Sequence, residues 1–247
     1  MKEKEMIFGI RAVIEAIEAE KEIDKVIIRR ELQGDLSKEL FALLKTREIP
    51  VQRVPAERLD RFTRKNHQGV IAFLSAITYE RIEDIVPFLY ENGKDPFIVL
   101  LDGLTDVRNF GAIARTCEVA GVDAIVIPAR GSVTVNADAV KTSAGALLKI
   151  PVCKVQSLTD AIQFLKNSGI KVIAASERAA DMYTKVDYKS PVAIVMGAED
   201  VGVSNENLRI ANHLVRIPQY GTIGSLNVSV ATGVLAYEVI RQRNIDQ

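Results

Sequence analysis

The sequence predicts an α/β protein with a small N-terminal α/β domain and a larger C-terminal domain built on a parallel sheet. Three observations predict this class. Helical and strand-like segments alternate along the whole chain. Several of the later strand segments are continuous apolar runs, which are typical of parallel strands buried on both faces. A charged stretch over residues 78–95, which contains Pro87 and an Asn-Gly pair, separates two series of alternating segments.

The first series covers residues 1–77 and predicts the small domain. Residues 10–19 place Ile10, Val13, Ile14 and Ile17 at the i, i+3, i+4, i+7 spacing of an amphipathic helix. Further segments follow in alternation: strands at 25–30, 51–54 and 69–76, and helices at 36–48 and 55–63. The resulting order α-β-α-β-α-β predicts an N-terminal α/β domain.

The segment 78–95 is predicted as a linker that carries a short helix, and the second series covers residues 96–247. Its strand-like segments are the following: 97–102, 124–128, 151–155, 171–176, 192–197 and 213–218. Helical stretches lie between most of them, so we expect a doubly wound α/β domain. Ligands of such sheets bind at the carboxyl ends of the strands.

The composition is that of an ordinary globular protein, with 48% hydrophobic and 26% charged residues. The 32 Lys and Arg residues balance the 32 Asp and Glu residues, which argues against a generic polybasic nucleic-acid binder. No apolar run reaches the roughly 18 residues of a membrane-spanning helix. The first ten residues lack the long apolar core of a signal peptide, so we expect a cytoplasmic protein.

Cysteine and histidine are scarce. The two cysteines, Cys117 and Cys153, are far apart in the chain and belong to no CxxC pattern. We expect two small buried side chains there rather than a zinc site or a disulfide. The two histidines, His67 and His213, offer little material for a catalytic triad or a metal site, so no metal is expected.

Loops rich in glycine and polar residues follow three of the C-terminal strands, after residues 102, 197 and 218. They carry five candidate site residues: Asn109, Arg115, Glu199, Ser225 and Asn227. No GxGxxG or GxxxxGK[ST] motif is present, so the common nucleotide-binding motifs lose support. Taken singly, these residues also have structural explanations, because asparagine is a preferred helix cap and a glutamate often stands in a turn.

The three loops together carry a more specific pattern. The stretches NFGAIAR (109–115), GAEDVG (197–202) and IPQYGTIGSLNVSVA (217–231) resemble the three motifs of the SpoU (TrmH-like) branch of the SPOUT RNA 2′-O-ribose methyltransferases. The stretches IFGIRAVIEAI (7–17) and NHQGVIAF (66–73) are similar to the N-terminal RNA-binding domain of members that methylate a guanosine of 23S ribosomal RNA. The resemblance covers essentially the whole chain.

This resemblance implies a fold and a cofactor. The C-terminal domain would form a deep trefoil knot, and S-adenosylmethionine would bind within the knotted loops. The enzyme would be a homodimer with each active site at the subunit interface. By position, the residues implied in cofactor binding are Gly197, Ile217, Leu226, Ala175 and Ser176.

The resemblance also implies a polar catalytic set, namely Arg115, Asn109, Glu199, Asn227 and Ser225. The family mechanism makes Arg115 the base or the activator of the ribose hydroxyl. Arginine stays protonated in proteins, so we expect Arg115 to clamp the adjacent phosphate and stabilise the developing alkoxide. The phosphate or Glu199 would then take the proton, and Asn109 with Glu199 would orient the guanidinium.

Five basic residues are candidates for RNA contact: Arg11, Arg58, Arg61, Lys65 and Arg108. Within the predicted helix over 55–63 and its extension, Arg58, Arg61 and Lys65 would share one face, with Phe62 pointing elsewhere. That face would contact phosphates of folded ribosomal RNA. The alternative is an ordinary solvated helix face, since acidic residues are interspersed.

The function predicted from the resemblance is transfer of a methyl group from S-adenosylmethionine to the ribose 2′-hydroxyl of a guanosine in 23S ribosomal RNA. Two alternatives stay open. One is 2′-O-methylation of a tRNA or of another ribosomal RNA ribose. The other is a non-catalytic RNA-binding assembly factor, against which the intact Asn109, Arg115, Glu199 and Asn227 argue.

Overall fold

The structure is a computed structural model that describes residues 6–244. Residues 1–5, which begin the segment predicted to lack a signal peptide, and residues 245–247 lie outside the described range. Contacts between residues divide the chain into two units. The smaller unit runs to Thr78 and includes Thr134–Asn136, and the larger unit holds Tyr79–Val133 and the residues from Ala137 onward.

In its described residues, the smaller unit is a four-stranded mixed sheet with three helices. Its elements are β1 (Met6–Phe8), α1 (Ile10–Glu18), β2 (Ile23–Arg29), α2 (Asp35–Thr46), β3 (Val51–Val54), α3 (Ala56–Asp60) and β4 (Val70–Leu74). The strand order is β1-β4-β2-β3, with β4 antiparallel to both of its neighbours and β2 parallel to β3. The sequence missed β1, because three apolar residues directly before a helix show no strand periodicity of their own.

Helices α1 and α2 cover one face of this sheet. Their apolar residues, among them Val13, Ile14 and Leu40, form a core with Val26 and Ile28 of β2. The amphipathic spacing predicted for α1 is confirmed, because Val13, Ile14 and Ile17 are all buried.

Helix α3 is shorter than predicted. It ends at Asp60, and Arg61 is its C-cap, so the prediction that Arg58, Arg61 and Lys65 share one helical face is wrong. Side chains beyond the cap bond to the backbone instead: the Thr63 hydroxyl accepts a hydrogen bond from the Lys65 N–H at 3.2 Å. Such local bonds compete with the helical ladder and end the helix.

The larger unit is a parallel sheet with helices on both faces. Its elements are α4 (Ile82–Glu91), β5 (Phe97–Asp102), α5 (Val107–Val119), β6 (Ala124–Pro128), α6 (Ala137–Thr142), β7 (Val152–Val155), α7 (Leu158–Asn167), β8 (Lys171–Ala175), β9 (Asp181–Met182), β10 (Val192–Gly197), α8 (Asn205–Ile210), β11 (His213–Arg216) and α9 (Val228–Arg243). The seven strands that the structure describes in this unit all run parallel, in the order β7-β6-β5-β10-β8-β11-β9.

Both faces of this sheet are buried, as its apolar strands predict. In β5, Ile98 and Leu100 pack into a core with residues of α4 and α7, and the alternating Phe97, Val99 and Leu101 are buried on the other face. Helix α5 packs against α6 and α9, and α9 contacts β10. The expected doubly wound α/β fold is confirmed. The trefoil knot stays a prediction, because strand order alone does not define how the chain threads.

The segment predicted as a linker is largely helical. Helix α4 buries Ile82, Val86 and Leu89, and two of these side chains join the core of the larger unit. The contacts therefore group this segment, from Tyr79 on, with the C-terminal sheet. None of the helices within residues 6–244 has the length and apolar character needed to cross a bilayer.

Candidate active site

The three motif loops leave the sheet at the same edge. Strands β5, β10 and β11 are all parallel, and the register pairs Gly197 at the end of β10 with Asp102 at the end of β5. The carboxyl ends of parallel strands meet at one edge of a sheet, so the segments that lead to Asn109, Glu199 and Asn227 start close together.

The loop after β10 is folded back tightly, and this requires glycine. A Cβ atom on Gly197 would lie 1.9 Å from the Gly202 carbonyl carbon and 2.1 Å from the Val203 nitrogen. The loop is closed by a bridge in which the Gly202 N–H donates to the Ala198 carbonyl at 2.8 Å, and Gly202 has a φ of +72°. Gly197 thus makes room for its own loop, which holds the Glu199 carboxylate above the end of β10.

Asp102 holds the far end of this loop. One of its carboxylate oxygens accepts hydrogen bonds from the Ser204 N–H at 2.8 Å and from the Asn207 amide at 2.9 Å. Asn207 is buried, and its amide oxygen accepts a hydrogen bond from the Thr159 hydroxyl. Neither Asp102 nor Asn207 was predicted as a site residue from the sequence. The polar last residue of the buried run FIVLLD was the available signal for Asp102.

A polar cluster joins the three loops. The Asn109 amide N–H donates to Glu199 Oε1 at 3.2 Å, and the Asn227 amide donates to Asn109 Oδ1 at 3.0 Å. Asn227 also donates to Glu199 Oε1, which further accepts the Val228 N–H at 3.3 Å. A single carboxylate oxygen therefore receives hydrogen bonds from two motif asparagines and one backbone amide.

Asn227 has two roles at once. It is the N-cap of α9, where its amide oxygen accepts a hydrogen bond from the Ser229 N–H at 3.0 Å. Its amide N–H group meanwhile faces Asn109 and Glu199. An asparagine side chain carries both an acceptor and two donors, so it can cap the helix and bind the cluster together.

Asn109 is not the cap of its helix. The N-cap of α5 is Asp106, whose carboxylate accepts a hydrogen bond from the Asn109 backbone N–H at 2.8 Å. A helix cap, the structural explanation that the sequence offers for an asparagine, therefore does not apply to Asn109. Because Asp106 satisfies the helix terminus, the Asn109 side chain is available to the cluster.

Arg115 does not join this cluster within the chain. It is exposed on α5, and no described residue forms a hydrogen bond or ion pair with its side chain. It lies six residues after Asn109, which turns it about 120° away around the helix. Asn109 and Glu199 bond to each other and to Asn227, and neither bonds to the guanidinium.

A cleft of about 400 Å³ lies beside the cluster. Its lining includes all five residues implied in cofactor binding, namely Ala175, Ser176, Gly197, Ile217 and Leu226, together with Glu199 and Ser225. Two cations that were not predicted from the sequence, Arg178 and Arg216, also line the cleft. Both follow or end strands of the same sheet edge, which was the signal available for them.

The candidate RNA-contacting residues lie on the surface. The basic residues Arg11, Arg58, Arg61, Lys65 and Arg108 are all exposed, the first four in the smaller unit and Arg108 in the first turn of α5. No group of three or more metal-ligating side chains stands together within residues 6–244.

Both cysteines are buried and free, as predicted. Burial raises the pKa of the Cys117 thiol to about 12, and burial followed by nearby acidic charges raises the pKa of Cys153 to the same range. Since both pKa values lie far above neutral pH, neither thiol supplies a thiolate nucleophile there.

The close fold of the Gly197 loop predicts a stability effect. We expect Gly197→Ala to lower the free energy of unfolding by about 3 kcal/mol, because the new methyl group meets backbone atoms that cannot move aside independently. Gly221→Ala is the matched control, since a Cβ there would meet no atom within 4 Å, and should change stability by less than about 0.5 kcal/mol. Urea unfolding curves of both variants check this, and equal midpoints would contradict it.

Two family profiles and a bacterial relative match this chain. The profile of the SpoU rRNA methylase family matches residues 96–237, and that of the RNA 2′-O ribose methyltransferase substrate-binding domain matches residues 6–80. The chain is 33% identical over 238 residues to YacO from Bacillus subtilis, named for the TrmH family of tRNA/rRNA methyltransferases, and the match covers 96% of each protein.

Two solved structures are also similar. An AdoMet-bound rRNA methyltransferase from Sinorhizobium meliloti matches with 28% identity and a TM-score of 0.62, over 98% of this chain and 88% of that one. The TrmH/SpoU tRNA modifying enzyme from A. aeolicus matches with 33% identity and a TM-score of 0.57, over 66% of this chain and 85% of that one. The chain belongs to the SpoU (TrmH-like) family of RNA methyltransferases.

Proposed function

We propose that the protein transfers a methyl group from S-adenosylmethionine to the ribose 2′-hydroxyl of a guanosine in 23S ribosomal RNA. The observation that carries this proposal is the hydrogen-bonded cluster of Asn109, Glu199 and Asn227, which lies beside the cleft. Both family profiles and the similarity to an AdoMet-bound rRNA methyltransferase support it.

The cleft suits S-adenosylmethionine. Ile217 and Leu226 offer apolar walls for the adenine, and backbone at the ends of β8 and β10 offers hydrogen-bonding groups for its polar edge. Arg178 and Arg216 line the same cleft with Glu177, so both signs of charge are present for the zwitterionic methionine end. When bound, the cofactor supplies an electrophilic methyl group on a sulfonium.

We assign Glu199 a positioning role. Its Oε1 already accepts hydrogen bonds from Asn109, Asn227 and the Val228 N–H, so this oxygen holds the loops in place. The RNA phosphate next to the reacting ribose then takes the hydroxyl proton. The Arg115 guanidinium stays charged, clamps that phosphate and stabilises the developing alkoxide.

A homodimer brings Arg115 to this cluster. Arg115 and Val119 lie on one side of α5, and Val230 and Tyr237 lie on one side of α9, which packs against α5. The three apolar side chains are 65%, 52% and 52% exposed, respectively. We infer that this α5/α9 face contacts a second copy of the chain and presents Arg115 to the partner's cluster.

Transfer of labelled methyl groups tests the proposed reaction. Purified protein, labelled S-adenosylmethionine and 23S ribosomal RNA that lacks its modifications should yield label in a single 2′-O-methylguanosine. Nuclease mapping identifies the nucleotide. Label on tRNA alone would contradict the ribosomal substrate and favour the tRNA alternative, which the tRNA/rRNA name of the B. subtilis relative supports. Absence of both label and cofactor binding would favour a non-catalytic RNA-binding factor.

Mixed dimers test which subunit supplies Arg115 to each active site. Arg115→Ala and Asn227→Ser should each be inactive alone, although serine keeps the helix cap. Co-expressed, they should regain about a quarter of the wild-type methyl transfer, because half of the dimers are mixed and one of two sites in each is intact. If both residues act within one chain, every mixed site carries a defect, and the mixture would stay inactive.

A further inference from the structure

The two faces of the small sheet are covered unequally. Helices α1 and α2 bury a broad core on one face. On the other face, the buried cluster among the described residues is smaller, with Ile27, Val54 and Ile71 packed against Leu59 of the five-residue helix α3. Aromatic side chains at the margin of this minor core therefore stay partly exposed.

Three phenyl rings occupy this face. Phe8 of β1 and Phe73 of β4 are partly buried against the minor core, and Phe62, which follows α3, is 41% exposed. The rings of Phe62 and Phe73 meet edge to face, with centroids 5.2 Å apart. The Phe62 ring thus leaves apolar surface exposed beside the sheet.

Amine cations stand next to these rings. The Lys25 Nζ lies 5.6 Å from the centre of the Phe73 ring, and the Lys65 Nζ lies 5.9 Å from that of Phe8. We call these five residues, Phe8, Phe62, Phe73, Lys25 and Lys65, the aromatic face. The adjoining segment 57–67 holds four Arg or Lys residues against two carboxylates, and Asp60 is paired with His67.

We propose that the aromatic face binds unpaired RNA bases, which stack on the phenyl rings while the lysines contact the flanking phosphates. Every base has a flat π-surface that stacks on aromatic side chains, and nearby cations complement the phosphate charge. Paired bases are closed to such stacking, so the face selects single-stranded loops or bulges of a folded RNA. This inference rests on the proposed function and assigns part of its substrate recognition to this face.

The absence of tryptophan from the chain allows a direct test. Phe62→Trp keeps a stacking ring and places a single indole on the aromatic face. The probes are a short single-stranded RNA of mixed sequence, a GC-rich blunt duplex with the same number of phosphates per strand, and heparin. Single-stranded RNA should quench the indole fluorescence to saturation, and the duplex and heparin should not. No quenching by single-stranded RNA, or equal quenching by heparin or duplex, would overturn the proposal.

A matched pair of phenylalanine variants tests the aromatic face by RNA affinity. Phe62→Leu should weaken binding of the single strand about tenfold, because the apolar volume is retained but the stacking surface is lost. Phe41→Leu is the control, since Phe41 also has a cation over its ring, Arg53 at 4.8 Å, but packs with the opposite core. Equal weakening by both variants would contradict a role for the aromatic face.

Methyl transfer measured on the same preparations separates the two proposals. Activity of Phe62→Trp on ribosomal RNA without quenching by single-stranded RNA refutes the aromatic face and leaves the enzyme. If single-stranded RNA quenches Phe62→Trp but the wild-type protein transfers no methyl group, base stacking is supported and the catalytic proposal is refuted.

Discussion

The site depends on one carboxylate oxygen. Glu199 Oε1, in the loop after β10, accepts hydrogen bonds from Asn109 at the start of α5 and from Asn227 and the Val228 N–H at the start of α9. This one oxygen therefore joins segments that follow three different strands. Loops have conformational freedom that a strand end alone does not remove. A shared acceptor holds the three loops together and fixes the geometry of the sheet edge at which the cleft lies.

Three features of the surrounding chain place that oxygen. The fold-back from Gly197 to Gly202 leaves no space for a side chain at Gly197, and the Asp102 carboxylate ties the next helix to the end of β5. Asn227 completes the arrangement, because its oxygen caps α9 while its amide group faces the cluster. The polar residues at the start of this helix therefore serve both the local structure and the site.

Much of this architecture could be predicted from the sequence. The buried apolar runs predicted the parallel strands, and the three polar loops predicted where Asn109, Glu199 and Asn227 meet. The length of α3 could not be predicted, because side-chain bonds to the backbone near Thr63 outweigh the helical periodicity. The exposed Phe62 lies directly after that early end.

Other features needed three-dimensional information. Asp106, rather than Asn109, caps α5, and both types of residue are good caps, so the sequence does not decide between them. The separation of Arg115 from the cluster follows from its angular position on α5. The reason for Gly197 is visible only in the folded loop, where backbone rather than a ligand occupies the space beside it.

Amide hydrogen exchange at Val228 tests the central role of Glu199 most directly. The Val228 N–H is bonded to Glu199 Oε1, so in Glu199→Ala its exchange should quicken by about tenfold or more, while amides in the buried strand β5 keep their protection. Unchanged exchange at Val228 would contradict the account, because the loops would then hold their positions without the shared carboxylate.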